Sequence, residues 1–228
     1  MSARCFLVVI VAALTMGTVV IDAGGWVVIT LKNVPTHEWV GGGGLIYTVR
    51  QHGHTSMNDL TGRVEARKGP MVVRSTAREL WGGRLDDVRG GARGVRSPGA
   101  YVVDIPFPEP GTWTVDLAAG SGLVGDTLRM TVNVLPRGAA EPVVPATERG
   151  QRLFEGKGCA TCHKHSEFSS AGTVGVHDMT GKRYTSEYVQ TFLLSLPPRT
   201  ASIESFGKMP NLGLAEHEIN SLAAFLGR

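Results

Sequence analysis

Residues 159 to 165 read CATCHKH, which gathers Cys159, Cys162, His163 and His165 in a 228-residue chain with only one other cysteine, Cys5. Thiols and imidazoles this close suit three chemistries: a zinc ion, a redox dithiol, or a covalently attached haem. A structural zinc ion needs four well-spaced ligands, usually including a second pair some residues away, and no second cysteine pair exists. A thioredoxin-type dithiol needs a βαβ setting, which the flanking residues do not supply. C-x-x-C-H, by contrast, is the attachment spacing of c-type haem. Thiols at i and i+3 of one helical turn reach the two vinyl groups of a single porphyrin, and the next residue is held under the iron. The expectation is one covalent haem c, with thioethers at Cys159 and Cys162 and His163 as the proximal ligand.

The elements around this motif fall into two kinds. From residue 24 to 135, short runs rich in Val, Ile, Thr and aromatics alternate with turn residues: WVVITLKN (26–33), LIYTVRQ (45–51), LTGRVEARK (60–68), AYVVDIPF (100–107), TWTVDLA (112–118) and DTLRMTVNV (126–134). GGGG, KGP, SPG, PEPG and GSG lie between them and read as turns. Strands at this spacing predict an antiparallel sandwich. Residues 136 to 146 are rich in Pro and Ala and read as a linker. From 147 to 228 the pattern turns helical, first in ERGQRLFEGKG, then in SEYVQTFLLSL (186–196) and AEHEINSLAAFLG (215–227), which carry apolar residues at helical spacing. So short a helical segment buries a thin core by itself, and a large apolar cofactor would complete it.

GAYVVDIPFPEPGTWTVDL resembles the closing hairpin of the exported immunoglobulin-like domains called YtkA-like or FixH-like. Residues 147 to 228 resemble the class I cytochrome c family in order: a first helix, C-x-x-C-H, a middle helix, a Met-Pro loop and a final helix. The resemblance implies an all-β immunoglobulin-like sandwich followed by an all-α class I cytochrome c domain. In GKMPNLGL it implies that Met209, 46 residues beyond His163, is the second axial iron ligand. It also implies that Gly150 in the first helix admits Phe225 of the last. The stretch VGVHDMTGKRY departs from the family, with Val176 and His177 where a proline that orients the proximal histidine is common. His165, His177 and Met179 are rival ligands; Arg183 and Tyr184 either contact haem propionates or lie on a solvated loop.

An iron with two protein ligands has no position for substrate, so the expected role is single-electron transfer rather than catalysis. Copper centres are the check on that reading. Blue-copper sites need a cysteine thiolate, and residues 24 to 158 contain none. RQHGHTSM leaves His52, His54 and Met57 either as an exposed copper site or as a polar strand end. Arg63 to Arg96 hold nine basic and four acidic residues, which would dock an acidic redox partner or lipid headgroups, or form a solvated edge. Arg4 followed by the uncharged run Phe6–Ile21 reads as a signal peptide or an N-terminal membrane anchor. The export it implies places the chain in the periplasm or on the extracytoplasmic membrane face. Nucleic acid is excluded there. Partners are redox proteins, with a terminal oxidase or another membrane respiratory complex among them. A non-catalytic haem subunit of such a complex and a haem-based gas or redox sensor stand as alternatives.

Overall fold

Period-two alternation of apolar residues organises most of the chain. Leu45, Tyr47 and Val49, then Val64 and Ala66, then Trp113, Val115, Leu117 and Ala119, then Leu128, Met130, Val132 and Val134 all turn into one core, with their neighbours outward. A computed structural model of the protein describes residues 27–80, 99–121, 124–168, 178–197 and 208–228. The expected leader or anchor therefore lies outside the described residues, as do Arg84, Arg89, Arg93, Arg96, Val176 and His177. No helix among the described residues is long and apolar enough to cross a membrane.

The strands are β1 (Val27–Leu31), β2 (Glu38–Trp39), β3 (Gly44–Gln51), β4 (Thr55–Ser56), β5 (Thr61–Lys68), β6 (Met71–Glu79), β7 (Ala100–Asp104), β8 (Gly111–Ser121) and β9 (Val124–Leu135). They form one hydrogen-bonded path, β1-β3-β7-β6-β5-β8-β9-β2, with β4 added on β3. The path curls so that β1 approaches β9 around Trp113, Tyr47 and Phe107, all fully buried. The helices are α1 (Ala146–Gly156), α2 (Cys159–Cys162), α3 (Ser186–Ser195) and α4 (Glu216–Leu226).

This corrects the expected architecture of a sandwich followed by a separate all-α class I cytochrome c domain. Strands account for 39% of the structure and helices for 22%; the sheet is a single curled one, and no all-α cytochrome c domain is present among the described residues. Two physical causes stand out. Strand β6 is not among the strands expected from the sequence, because its inward positions are only half-buried and, after Met71 and Val73, shrink to Ser75 and Ala77. It pairs with β5 along its length and with β7 through Arg78 and Glu79, so the two halves of the sheet become continuous. The second cause is β1. All five residues of VVITL are buried, on both faces, because the α1–α2 junction lies against the outer face.

Gly158 makes that junction possible. Its φ of +76° is left-handed, and a Cβ there would stand 2.4 Å from the Ile29 carbonyl oxygen. Just before it, the Lys157 ammonium is buried, donating to the Lys32 carbonyl at 3.0 Å and pairing with Glu218 at 2.8 Å. Arg152 ties α1 to the loop after β1 by donating to the Thr36 carbonyl at 2.5 Å. The helices cross where Gly150 meets α4: a Cβ would lie 2.0 Å from the Ser221 carbonyl oxygen and 2.7 Å from the Phe225 Cβ.

On the outer sheet face, Arg67 and Arg74 both pair with Glu65, and Lys68 pairs with Glu109. Much of the described part of the basic stretch is thus locally neutralised, and exposed pairs of this kind contribute about 0–1 kcal/mol each. Lys157 is the opposite case. Replacing it by Met leaves the partly buried Glu218 without its cation, so Lys157→Met should lower unfolding free energy by about 3 kcal/mol. Denaturant titration should also show the double variant Lys157→Met/Glu218→Leu recovering part of that loss.

Candidate functional site

Cys159 and Cys162 stand at the two ends of α2, a single helical turn of four residues that follows Gly158. The turn closes when the His163 amide donates to the Cys159 carbonyl at 2.8 Å. His163 itself is extended, with φ −106° and ψ 126°, so the chain leaves the helix as the imidazole meets a cavity. That cavity measures about 330 Å³, within the roughly 300–1,000 Å³ common for ligand and cofactor sites. Its walls include Phe154 from α1, Cys159 and His163 from the motif, Met209 and Leu212 from the loop before α4, and Leu222 of α4. Tyr184, Tyr188 and Phe192 complete the α3 side, spaced 5.9 and 6.1 Å apart in a stacked row. Tyr188 and Phe192 are both exposed at its mouth.

Residues 46 positions apart in sequence thus share one apolar chamber, whose wall includes the side chains of Cys159, His163, Met179 and Met209. Met209 lines the cavity, and so does Met179, one of the rivals. Met179, however, lies beside the motif: its amide donates to the Lys164 carbonyl at 2.9 Å, next to His163 in sequence. Met209 reaches the chamber from the separate segment that leads into α4. His165 is elsewhere, packed among Phe154, Phe168 and Phe225 with centroid separations of 5.1–5.6 Å. Burial lowers its pKa first of all, which suits a ring held neutral among aromatics. Of the two candidate propionate contacts, Tyr184 is in the wall, whereas Arg183 is exposed and outside it. Cys162 is partly exposed at the far end of the turn.

The thiols themselves bear on the choice of chemistry. Burial, with the neighbouring Cys162 second, pushes the Cys159 thiol up to about 12. Burial is also the main cause of an upward shift at Cys162. Catalytic dithiols need the reverse, a thiolate stabilised near neutral pH. No cluster of three His, Cys, Asp or Glu side chains able to hold a metal ion occurs among the described residues.

His52, His54 and Met57, the candidate copper ligands, are used differently. His54 is buried with Nε2 at 3.3 Å from the Lys208 carbonyl oxygen. Met57 packs on the sheet core, and its carbonyl accepts from the Tyr101 hydroxyl at 3.0 Å. His52 stands in the intervening turn with φ +49°.

Sequence reasoning named Tyr184 but missed that Tyr188 and Phe192 of α3 continue it in one row, and it missed the cavity role of Phe154. Tyr184, Tyr188 and Phe192 at i, i+4 and i+8 are a stripe that helical periodicity displays, but only the fold shows what the stripe faces. Phe154 is both a wall of the chamber and a centre of the aromatic cluster, 2% exposed. Phe154→Ala should therefore cost about 3–5 kcal/mol of stability and Phe154→Leu clearly less, as read by thermal or denaturant unfolding. No protein-family model matches the chain, and no curated protein matches it either.

Proposed function

We propose that the protein is an exported monohaem c-type electron carrier, with the haem held covalently on this predominantly β fold. The observation that carries the reading is the convergence of Cys159, His163 and Met209 on one apolar cavity, with Cys162 a helical turn from Cys159. Cys159 and Cys162 would hold the group as thioethers, and His163 and Met209 would supply its iron ligands. A bound haem would supply a reversible one-electron couple.

The chain's own contribution is to define that couple. A neutral thioether sulfur on the iron favours the reduced state, and so does an apolar wall that disfavours the extra charge of the oxidised one. Met209 suits the second ligand role better than Met179 because it comes from a segment remote from the motif, whereas the Met179 amide is bonded to the Lys164 carbonyl beside His163. Phe154, Val189, Leu222 and Leu226 keep water from the chamber. Tyr188 and Phe192 leave an apolar rim at its mouth, where a redox protein such as a component of a membrane respiratory complex could approach closely enough for electron transfer. The uncharged run Phe6–Ile21 supports export and points to the periplasm or the outer membrane face of the cytoplasmic membrane. The curled sheet would serve as the rigid support and spacer for this site.

The protein purified from a host that matures c-type cytochromes should retain one haem per chain after denaturation and give a c-type spectrum on reduction. Cys159→Ala and Cys162→Ala should each leave at most one thioether, visible as a shifted reduced absorption band, and the double variant should carry no covalent haem. Met209→Ala should abolish the weak methionine–iron charge-transfer band of the oxidised protein. Its midpoint potential should fall by more than about 59 mV, a tenfold change in a one-electron equilibrium. Met179→Leu should leave both unchanged. Absence of covalent haem from the mature wild-type protein sinks the proposal.

A further inference from the structure

The β3–β4 turn touches the chain on both sides of Met209. His54 is 7% exposed, and its Nε2 lies 3.3 Å from the carbonyl oxygen of Lys208, the residue before Met209. A carbonyl can only accept, so Nε2 carries the proton and donates. Gly53 lies against the residue after: a Cβ on it would stand 2.4 Å from the Pro210 Cγ and 2.9 Å from its Cβ. Its φ of +75° also belongs to glycine.

The turn is itself rigid. The His54 amide donates to the Gln51 carbonyl at 2.9 Å, and the Arg50 guanidinium donates to the His54 carbonyl at 3.1 Å. Strand β3, one in from the β1 edge of the sheet, carries it and is paired with β1, β4 and β7. On the other side of the loop, the Asn211 side chain donates to the Leu196 carbonyl at the end of α3 at 3.0 Å. Met209 is thus bracketed by a sheet turn and a helix end.

We infer that His54 and Gly53 are positioning residues for the sixth iron ligand: the sheet, through this turn, holds the Met209 sulfur on the metal and sets how easily it is displaced. The inference rests on Met209 being that ligand. It also gives RQHGHTSM a role without copper.

The His54 Nδ1 is buried with no hydrogen-bond partner among the described residues. His54→Phe therefore keeps the buried ring and removes one interaction, the Nε2–H bond to Lys208. Imidazole binding to the oxidised holoprotein, which competes with Met209 for the iron, reads the effect. His54→Phe should tighten imidazole binding by about three- to tenfold, the loss of one hydrogen bond. His54→Gln, whose amide nitrogen can reach the same carbonyl, should return it towards wild type. Gly53→Ala, which pushes on Pro210 from the same turn, should shift it in the same direction and serves if His54→Phe does not fold. Met209→Ala is the control. If that variant loses the charge-transfer band while His54→Phe and Gly53→Ala bind imidazole like wild type, even with lowered melting temperatures, the turn is merely structural and the inference fails. If Met209→Ala keeps the band, Met209 is not the ligand, and the inference falls with that assignment.

Discussion

Everything near the motif hangs on one buried cation. Lys157 sits between the end of α1 and Gly158, and its ammonium reaches the Lys32 carbonyl after β1 and the Glu218 carboxylate in the first turn of α4. Glu218 also accepts from the Ala215 amide at 3.0 Å, so the same carboxylate closes the start of that helix. A buried lysine is tolerated only when charge and hydrogen bonds replace its water. Meeting that demand requires β1, α1 and α4 to converge at one point, and α2 with its two cysteines begins two residues later. The position of the candidate site is in this sense a consequence of satisfying Lys157.

The same convergence explains why helices and sheet are not separable here. Strand β1 is apolar on both faces and needs cover on its outer side, which the α1–α2 junction provides through Gly156 and Gly158. The helical segment is too small to bury a full core alone, and it gains a wall by leaning on the sheet. The turn at Gly53 and His54 adds a second contact on the far side of the chamber. Sheet contacts therefore stand behind both segments that line the cavity, the motif and the Met209 loop.

Much of this was legible in the residues, and some was not, for reasons that can be named. Five of the six expected strand runs carry strong alternation or β-branched runs and coincide with β3, β5, β7, β8 and β9; WVVITLKN contains β1. Strand β6 escaped because its outward arginines and threonine are matched by inward Ser75 and Ala77 rather than by large apolar residues. That omission mattered, since β6 is the strand that joins the two halves of the sheet. A resemblance based on motif order likewise implied an independent helical domain. Motif order is silent about packing, and here the helices are short and docked on strands. The arginine count from 63 to 96 suggested a strong field, yet partners for part of it, such as Glu109, are remote in sequence.

By itself the sequence determined the chemistry at hand: two thiols and an imidazole at C-x-x-C-H spacing, a methionine followed by proline far downstream, and an apolar leader-like run. Those are local patterns, set by side-chain type and by the pitch of one helical turn. Only the tertiary structure decided that Met209 shares a cavity with Cys159 and His163, that His54 lies against the residue before Met209, and that the sheet curls into one continuous path. Each of these depends on contacts between residues tens to more than a hundred positions apart, where burial and hydrogen-bond satisfaction, rather than local spacing, choose the partner.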